Sequence, residues 1–446
     1  MPFSSTQFFR LFFSELERLN IPYVILHSYE GYPDAVPSDV DFAVRISDLP
    51  KMPAIQLALA ERHGWKLAHT IEARLYAIYS VIIDPEEPQN FLQLDACGHY
   101  VERNCLFLKD AALLEGRRRF GEFYVPAPAV EFCYLLARTL SKSQALEPRM
   151  SRLRELWQRE PEQTEQQFHV LFGPTQLRVE EWFHQPTVQW LTLRLTLLAR
   201  HRLGWRDQVR EAVRAYKRIT RPAGLHLAVL GPDGVGKSTL LERLGPMLEK
   251  PFFRRQLLFH FRPKVFGRSD EGTPVTDPHG QRPRGWLASW AKLIFYFFDQ
   301  LLGFVLKVLP AKMRNELIIF CRDFDDVLID PRRYRFSRAG WLARCLRWFL
   351  PRAELTILMD AEPEQIVARK AELPLEELRR QRLALRDLAA RNPRYVVVPA
   401  APTPDAVART ACREVINFLA ERVNRRLAGH PIPKSVTHRS PAGVHS

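Results

Sequence analysis

A glycine-rich loop at residues 231–238 has the residue types and spacing of a phosphate-binding site. Its sequence, GPDGVGKS, fits the pattern GxxxxGK[ST] and stands between an apolar β-like run at 225–230 and a helical run at 239–248. Glycines let the backbone curl until successive N–H groups point at phosphate oxygens, and the following helix adds positive partial charge. Lys237 is expected to bridge the β- and γ-phosphates, and the Ser238 hydroxyl to bind Mg²⁺. The predicted ATP-binding residues are Gly231, Pro232, Gly234, Val235, Gly236, Lys237, Ser238 and Thr239.

Asp233 lies inside this loop. A carboxylate beside a triphosphate is electrostatically unfavourable unless it faces a second substrate. We therefore expect the loop to hold ATP on one side and a phosphoryl acceptor on the other.

Residues 225–425 resemble the thymidylate kinase family, whose phosphate loop often carries an acid at the position of Asp233. The motif HFRP at 260–263 stands where that family places an arginine for the acceptor phosphate, which assigns this role to Arg262. VTDPHG at 275–280 and FCRDFDDVLIDPRRYR at 320–335, with Arg322, look like the variant in thymidylate-kinase-like proteins associated with bacterial polysaccharides.

The segment LMDAEPEQIVARKAEL at 358–373 resembles the strand and lid of the same family. The resemblance implies that Arg369, Lys370, Arg380 and Arg382 close over the phosphates, with ATP and Mg²⁺ as cofactors. It implies as acceptor a nucleotide or a phosphorylated small molecule, in surface-polysaccharide or nucleotide-sugar metabolism. The catalytic residues expected on this basis are Lys237, Asp233, Arg262, Arg322, Arg380 and Arg382.

Cys321 departs from the family, which has Asp-Arg where this chain has Cys321-Arg322. Loss of the strand-end carboxylate weakens phosphoryl transfer, because that reaction depends on charge placed at the moving group. Asp323 or Asp325 could substitute; alternatively, Asp323, Asp325 and Asp326 form a solvated or arginine-paired cluster beside Arg332, Arg333 and Arg335. Two hypotheses stay open: a kinase, or a catalytically impaired ATP-binding regulatory module.

A second group of acids lies near the N-terminus, in PSDVDFAV at 37–44. Side chains alternate along a strand, so Asp39 and Asp41 project from one face, and a pair of carboxylates suits Mg²⁺. Asp95, in FLQLDA at 91–96, is the expected third ligand. Residues 20–100 resemble the nucleotidyltransferases of the polymerase-β type, although His27-Ser28 replaces their glycine-containing pair. The alternative is an exposed edge strand with Asp95 paired to an arginine.

The elements that must position these residues follow from apolar periodicity. Helices are predicted at 6–19 and 54–63, strands at 23–26, 40–45, 75–83 and 91–96, and a mainly helical region at 129–217. Strands predicted at 225–230, 317–321, 355–360 and 395–398 alternate with helices, which indicates a parallel sheet with flanking helices.

The predicted fold class is therefore α/β, with a C-terminal P-loop sheet preceded by an α+β domain and a helical region. The predicted boundaries are 1–128 for a nucleotidyltransferase-like domain, 129–220 for the helical region and linker, 221–427 for the P-loop domain, and 428–446 for a disordered tail.

The composition of the chain indicates which classes of partner are compatible with it. The chain has 446 residues and a formal net charge of +15, which suits nucleotides, nucleic acid or anionic lipid as well as a plain arginine bias. A nucleic-acid or protein substrate for the N-terminal module and a homodimer therefore stay open. The six cysteines show no metal-ligand spacing, and with no export signal a cytoplasmic protein is expected.

The apolar stretch at 287–310 contains Asp299 near its middle, which disfavours a membrane span. No transmembrane segment is therefore predicted. The stretch is expected to be buried or at an interface, and a position on a membrane surface stays open.

Overall fold

The computed structural model describes residues 3–36, 39–173, 177–186, 188–249, 252, 255–265, 285–336, 340–369, 373–400 and 403–428. The VTDPHG segment, Lys370 and nearly all of the predicted tail lie outside these residues. The chain divides into two compact units, Met1–Tyr216 with Leu419–Ser446, and Lys217–Phe418.

The first unit begins with a mixed five-stranded sheet and the helices that cover it. Its strands are β1 (Tyr23–Ile25), β2 (Val40–Val44), β3 (Lys66–Arg74), β4 (Ala77–Ile83) and β5 (Phe91–Cys97), in the order β1-β2-β5-β4-β3. Helices α1 (Ser5–Arg18) and α2 (Met52–Arg62) flank it, with a 3₁₀ turn at Leu49–Lys51. A capping box starts α1: Ser4 Oγ accepts from Gln7 N at 3.2 Å while Gln7 Oε1 accepts from Ser4 N at 2.8 Å.

Two hairpins and a helical layer complete this unit. The hairpins pair β6 (Tyr100–Glu102) with β7 (Cys105–Leu108), and β8 (Arg118–Phe120) with β9 (Phe123–Val125). The helices are α3 (Asp110–Leu114), α4 (Pro128–Ser141), α5 (Glu147–Arg159), α6 (Pro161–Phe172), α7 (Val179–His184), α8 (Trp190–Arg200) and α9 (Trp205–Thr220). The buried helix α4 packs against α5, α6 and α8, as the apolar run at 129–141 predicts.

The second unit is built on a parallel sheet. Its strands are β10 (Leu225–Leu230), β11 (Gln256–Phe259), β12 (Leu317–Phe320), β13 (Leu355–Asp360) and β14 (Tyr395–Pro399), in the order β11-β12-β10-β13-β14. Each neighbouring pair runs parallel, so the loops after all the strands meet at one edge. Such an edge is where ligands bind in open α/β sheets.

Helices flank this sheet, and the predicted fold class is confirmed. They are α10 (Lys237–Leu248), α11 (Trp286–Gly303) continuing through a π-helical turn at Phe304–Val308 into α12 (Leu309–Met313), α13 (Phe324–Ile329), α14 (Gly340–Phe349), α15 (Pro363–Arg369), α16 (Leu375–Ala390) and α17 (Pro404–Leu427). β10 is buried along its whole length, because a central parallel strand is covered on both faces.

The apolar stretch at 287–310 lies in α11 and the π-helical turn. Among the described helices, the run Trp286–Met313 is long and apolar enough to cross a membrane by length and composition, and 22% of its most apolar window is buried. The helix is therefore not wholly buried, since one side of it exposes large apolar side chains, and its position at an interface or on a membrane surface stays a prediction.

Candidate functional site

The glycine-rich loop connects β10 to α10 at the carboxyl edge of the parallel sheet. Gly236 precedes the first helical residue, Lys237, with φ of 103°, a conformation that L side chains rarely adopt. A Cβ at Gly231 would lie 2.9 Å from the Met359 carbonyl oxygen, so only glycine fits there. The strand, the turn and the start of the helix together have the geometry of a phosphate-binding loop.

Lys237 folds over this loop. Its Nζ donates to the carbonyl oxygens of Gly231 at 2.6 Å and Pro232 at 2.9 Å, and lies 3.6 Å from Asp233 Oδ1. Ser238 and Thr239 are exposed on the first turn of α10, whereas Val235 is buried and anchors the loop. Lys237 is therefore held at the loop, and the roles of Ser238 and Thr239 toward a bound nucleotide stay predictions.

Asp233 is the centre of a charge cluster. Arg322 Nη2 donates to Asp233 Oδ1 at 2.8 Å, and Arg333 forms a second ion pair with the same carboxylate. Arg322 follows β12, and it also contacts His260, the residue after β11. Two guanidinium groups and the loop lysine thus converge on one carboxylate. Arg333 was not predicted as a site residue. It is 100 positions from Asp233 in the sequence, and only the fold shows that the two side chains meet.

Asp326 is a further carboxylate near this cluster, and the sequence did not predict it as a site residue. Its Oδ2 lies 3.4 Å from Nε of Arg322, which stands four residues earlier in the chain. Burial raises the pKa of Asp326 to about 6, against the charges of Lys237 and Arg322, which lower it. A carboxylate within the field of the loop lysine can orient a reacting group, so Asp326 joins the candidate site.

Asp323 and Asp325, the acids first considered as replacements for the missing strand-end carboxylate, are bound elsewhere. Arg347 Nε donates to Asp325 Oδ1 at 2.5 Å, and Arg347 Nη2 to Asp323 Oδ2 at 3.2 Å. Of the two forms considered for this acidic cluster, solvated or arginine-paired, the structure shows the second: Arg347 pairs with Asp323 and Asp325, and Arg322 pairs with Asp326. Cys321 stays a neutral group, because burial raises the pKa of its thiol despite nearby Arg322 and Lys237.

The other three arginines of the predicted catalytic set, Arg262, Arg380 and Arg382, lie elsewhere in the second unit. Arg262 pairs with the buried Asp299 at 2.9 Å, and its guanidinium carbon lies 4.4 Å from the Tyr296 ring centroid. Arg380 pairs with Glu377 at 2.6 Å. Arg382 pairs with Asp360, the last residue of β13, at 2.7 Å and with Glu362. Their roles toward a bound nucleotide stay predictions.

The second candidate site lies in the first unit, where two parallel strands bring the predicted acids together. Asp41 of β2 is in register with Asp95 of β5. Oxygen atoms of Asp39, Asp41 and Asp95 all lie within 4.8 Å of one another, a spacing that could hold a metal ion. Asp95 Oδ1 is buried and has no hydrogen-bond partner among the described residues, so a cation would satisfy it. These residues fit Mg²⁺.

Cations surround these acids. Arg74 Nη2 donates to Asp95 Oδ2 at 2.5 Å, so the predicted alternative of an arginine partner is also present. Burial raises the pKa of Asp95 to about 7, while Arg74 lowers it and Asp41 raises it further. Burial also acts to raise the pKa of Asp41, but His27, whose Nε2 lies 3.0 Å from Asp41 Oδ2, and the charge of Arg138 bring it below its ordinary value. Ser28, beside His27, has a left-handed backbone with φ of 57°.

Comparisons with known proteins add a distant likeness among solved structures. No protein-family model and no curated protein matches the chain. Among solved structures, the crystal structure of thymidylate kinase from Ehrlichia chaffeensis is similar over 46% of this chain and 100% of its own, at 19% sequence identity and a TM-score of 0.29.

Proposed function

We propose that the second unit is a cytoplasmic ATP-dependent phosphotransferase of the nucleotide-kinase type. One observation carries the proposal: Arg322, Arg333 and Lys237 converge on Asp233 inside a glycine-rich phosphate loop. Guanidinium groups match phosphate oxygens in pairs. An acceptor that carries a phosphate would replace Asp233 as their partner, directly beside the ATP γ-phosphate.

The reaction follows from these positions. The loop amides and Lys237 hold the β- and γ-phosphates, while Arg322 and Arg333 orient the acceptor phosphate. An acceptor oxygen then attacks the γ-phosphorus, the bond to the β,γ-bridging oxygen breaks, and ADP leaves. When bound, Mg²⁺ supplies positive charge to the phosphate oxygens, with the Ser238 hydroxyl as its protein ligand. Asp326 is the carboxylate placed to orient the acceptor.

ADP release with a panel of nucleoside monophosphates and sugar phosphates tests this proposal. Lys237→Ala should lower turnover by about a hundredfold or more, because it removes charge from the transferring group. Lys109→Ala, at an exposed lysine of the first unit, is the matched control. Tight ATP binding without turnover on any acceptor would refute the kinase and leave the ATP-binding regulatory module.

Nucleotidyl transfer in the first unit is a second candidate function. The facing acids Asp39, Asp41 and Asp95, with the unsatisfied Asp95 Oδ1, favour a divalent-cation site of the kind that such transfer uses. Bound there, Mg²⁺ would activate a triphosphate. The acceptor in this case is a macromolecule, RNA or protein, or a small molecule.

Incubation with labelled nucleoside triphosphates and RNA or protein fractions tests transfer, and Mn²⁺ titration followed by electron paramagnetic resonance tests the cation site directly. Asp39→Ala/Asp41→Ala should abolish both label transfer and tight Mn²⁺ binding. Asp34→Ala, an exposed carboxylate of the same unit, should change neither. If wild type binds no Mn²⁺ and transfers no label, this candidate fails independently of the kinase.

A further inference from the structure

Helix α11 exposes a stripe of large apolar side chains on the outside of the second unit. Every exposed position from residue 285 to 306 is glycine, alanine or a large apolar residue. The large ones are Trp286, Leu287, Ile294, Phe295, Phe298, Leu302, Val305 and Leu306. A surface helix of a soluble domain has the opposite arrangement, with its polar residues outward.

The charged side chains of this segment face the protein instead. Asp299 is fully buried against Arg262, Lys292 Nζ donates to the Tyr334 carbonyl oxygen at 2.9 Å, and Lys307 Nζ to the Pro263 carbonyl oxygen at 2.6 Å. The side of α11 that packs on the unit therefore carries these charged groups together with apolar side chains such as Leu293. Its apolar face has no partner among the described residues that would account for this arrangement.

Helix α14 extends the same surface. Its Trp341 ring lies edge-on to Trp290 of α11, with the centroids 5.4 Å apart, so the two helices are neighbours. Trp341, Trp348 and Phe349 are 56%, 83% and 73% exposed. We call the exposed apolar side chains of α11, the π-helical turn and α14 the α11–α14 face. Contiguous exposed apolar surface of this kind marks a protein-binding or membrane-binding site.

The charge of the α11–α14 face distinguishes between a protein partner and a membrane. Arg344 is exposed between Trp341 and Trp348, and the described residues of α11 and α14 expose no acidic side chain. A two-fold dimer through this face would bring the face against its own copy, and each Arg344 would meet a surface without an acid. An anionic lipid surface, by contrast, complements Arg344, and tryptophan and phenylalanine are favoured at the lipid interface.

The helix can lie on a membrane but is not free to cross it. Leu293, on the opposite side of α11, is fully buried in a core with Phe324 and Ala343. The backbone at Gly303 approaches Pro263 so closely that a Cβ there would lie 2.4 Å from the proline ring atom Cβ. One face of the helix is therefore committed to the protein and only the other is available to lipid.

We propose that the α11–α14 face docks the protein on the surface of membranes that contain anionic phospholipid. The apolar side chains enter the boundary between headgroups and acyl chains, and Arg344 contacts the phosphates. This surface is separate from the phosphate loop, so docking does not depend on the proposed kinase activity.

Co-sedimentation of the full chain with vesicles tests the proposal, using phosphatidylcholine alone or mixed with phosphatidylglycerol. Wild type should bind the mixed vesicles more tightly than the neutral ones. Leu287→Asn/Phe298→Asn/Val305→Asn should weaken binding to both by about tenfold or more, since apolar burial drives insertion. Arg344→Ala should bind the anionic vesicles with about fivefold lower affinity and the neutral vesicles as wild type does. The fivefold change is equivalent to about 1 kcal/mol, which is the contribution of one cation near a charged surface.

Matched controls are Val170→Asn/Leu383→Asn, at single exposed apolar residues elsewhere, and Arg391→Ala, at an exposed arginine of α16's end. These should bind like wild type, and all variants should keep the wild-type unfolding midpoint. The proposal is overturned if wild type does not sediment with anionic vesicles or if the triple variant binds as wild type does. One further outcome would overturn it: wild type binds no vesicles, and sedimentation velocity shows that wild type is a dimer whereas the triple variant is a monomer.

Discussion

Asp326 lies four residues after Arg322, forms an ion pair with it, and is within the electrostatic field of Lys237. We expect Asp326→Asn to lower turnover by about a hundredfold with little change in the free energy of unfolding, because the amide keeps the shape and removes the charge. In that background, Cys321→Asp should restore part of the activity, since it returns a carboxylate to the end of β12. Initial rates of ADP release with saturating acceptor measure both effects.

Asp323→Asn provides the comparison, because this side chain caps α13 and pairs with Arg347 rather than facing the loop. It should destabilise the second unit without a specific loss of turnover per folded molecule. Equal turnover in Asp326→Asn and wild type would show that Asp326 has no part in the reaction.

His226 in β10 links stability to pH. Its ring lies 4.8 Å from that of Phe320, and burial, followed by the charge of Lys312, lowers its pKa to about 3. The unfolded chain binds a proton at this histidine below about pH 6.5 and the folded chain does not, so stability falls as the pH drops from 6.5 toward 3. At pH 5, protonation of His226 in the unfolded chain lowers the free energy of unfolding by about 2 kcal/mol.

Urea unfolding of wild type and His226→Phe at pH 7 and pH 5 measures this contribution. The variant should lose less stability between the two pH values than wild type, by the amount that His226 contributes. An unchanged difference between pH 7 and pH 5 would remove His226 as the cause.

At the scale of elements, a buried ion pair fastens α14 to α13. Arg347 is buried and binds both Asp323 and Asp325, and the Tyr395 hydroxyl donates to Asp325 Oδ2 at 2.7 Å. Arg347→Met should destabilise the second unit by about 3–5 kcal/mol, because it leaves two carboxylates buried without their counter-ion. Chemical denaturation followed by circular dichroism measures the change.

Arg344→Met, on the exposed side of the same helix, should stay within about 0.5 kcal/mol of wild type. Adding Asp323→Asn and Asp325→Asn to Arg347→Met should recover part of the lost stability, since the buried charge is then gone. No recovery would mean that packing of the arginine stem, rather than its charge, holds the two helices.

At the scale of the whole molecule, the chain returns to its first unit at the C-terminal end. Val423 of α17 is 3% exposed and packs in the same core as the phenylalanines of α1. Val423→Ser should destabilise the first unit by about 2–3 kcal/mol through lost apolar burial and a buried hydroxyl. It should leave ATP binding by the second unit unchanged.

Glu421→Ser, at an exposed position of the same helix, controls for helix propensity. Calorimetry with and without MgATP separates the two units, because a ligand stabilises only the unit that binds it. Loss of ATP binding in Val423→Ser at a temperature where the protein is folded would contradict this assignment.

The sequence determined the features that depend on neighbouring residues. The phosphate loop was readable because its glycines, lysine and serine act within eight residues, between a strand and a helix that its own periodicity predicts. The spacing of Asp39, directly before β2, and Asp41, within it, likewise predicts one shared face, and the order of strands and helices indicates the α/β class.

Only the tertiary structure decided which side chains meet across the chain. Arg333 pairs with Asp233, Asp326 rather than Asp323 or Asp325 pairs with Arg322, and Arg347 pairs with the other two acids. The apolar run of α11 gave no sign of which face would be exposed. These outcomes depend on packing between segments that are far apart in sequence. Burial and competition between partners decide which charged groups pair, and the local sequence pattern does not predict either.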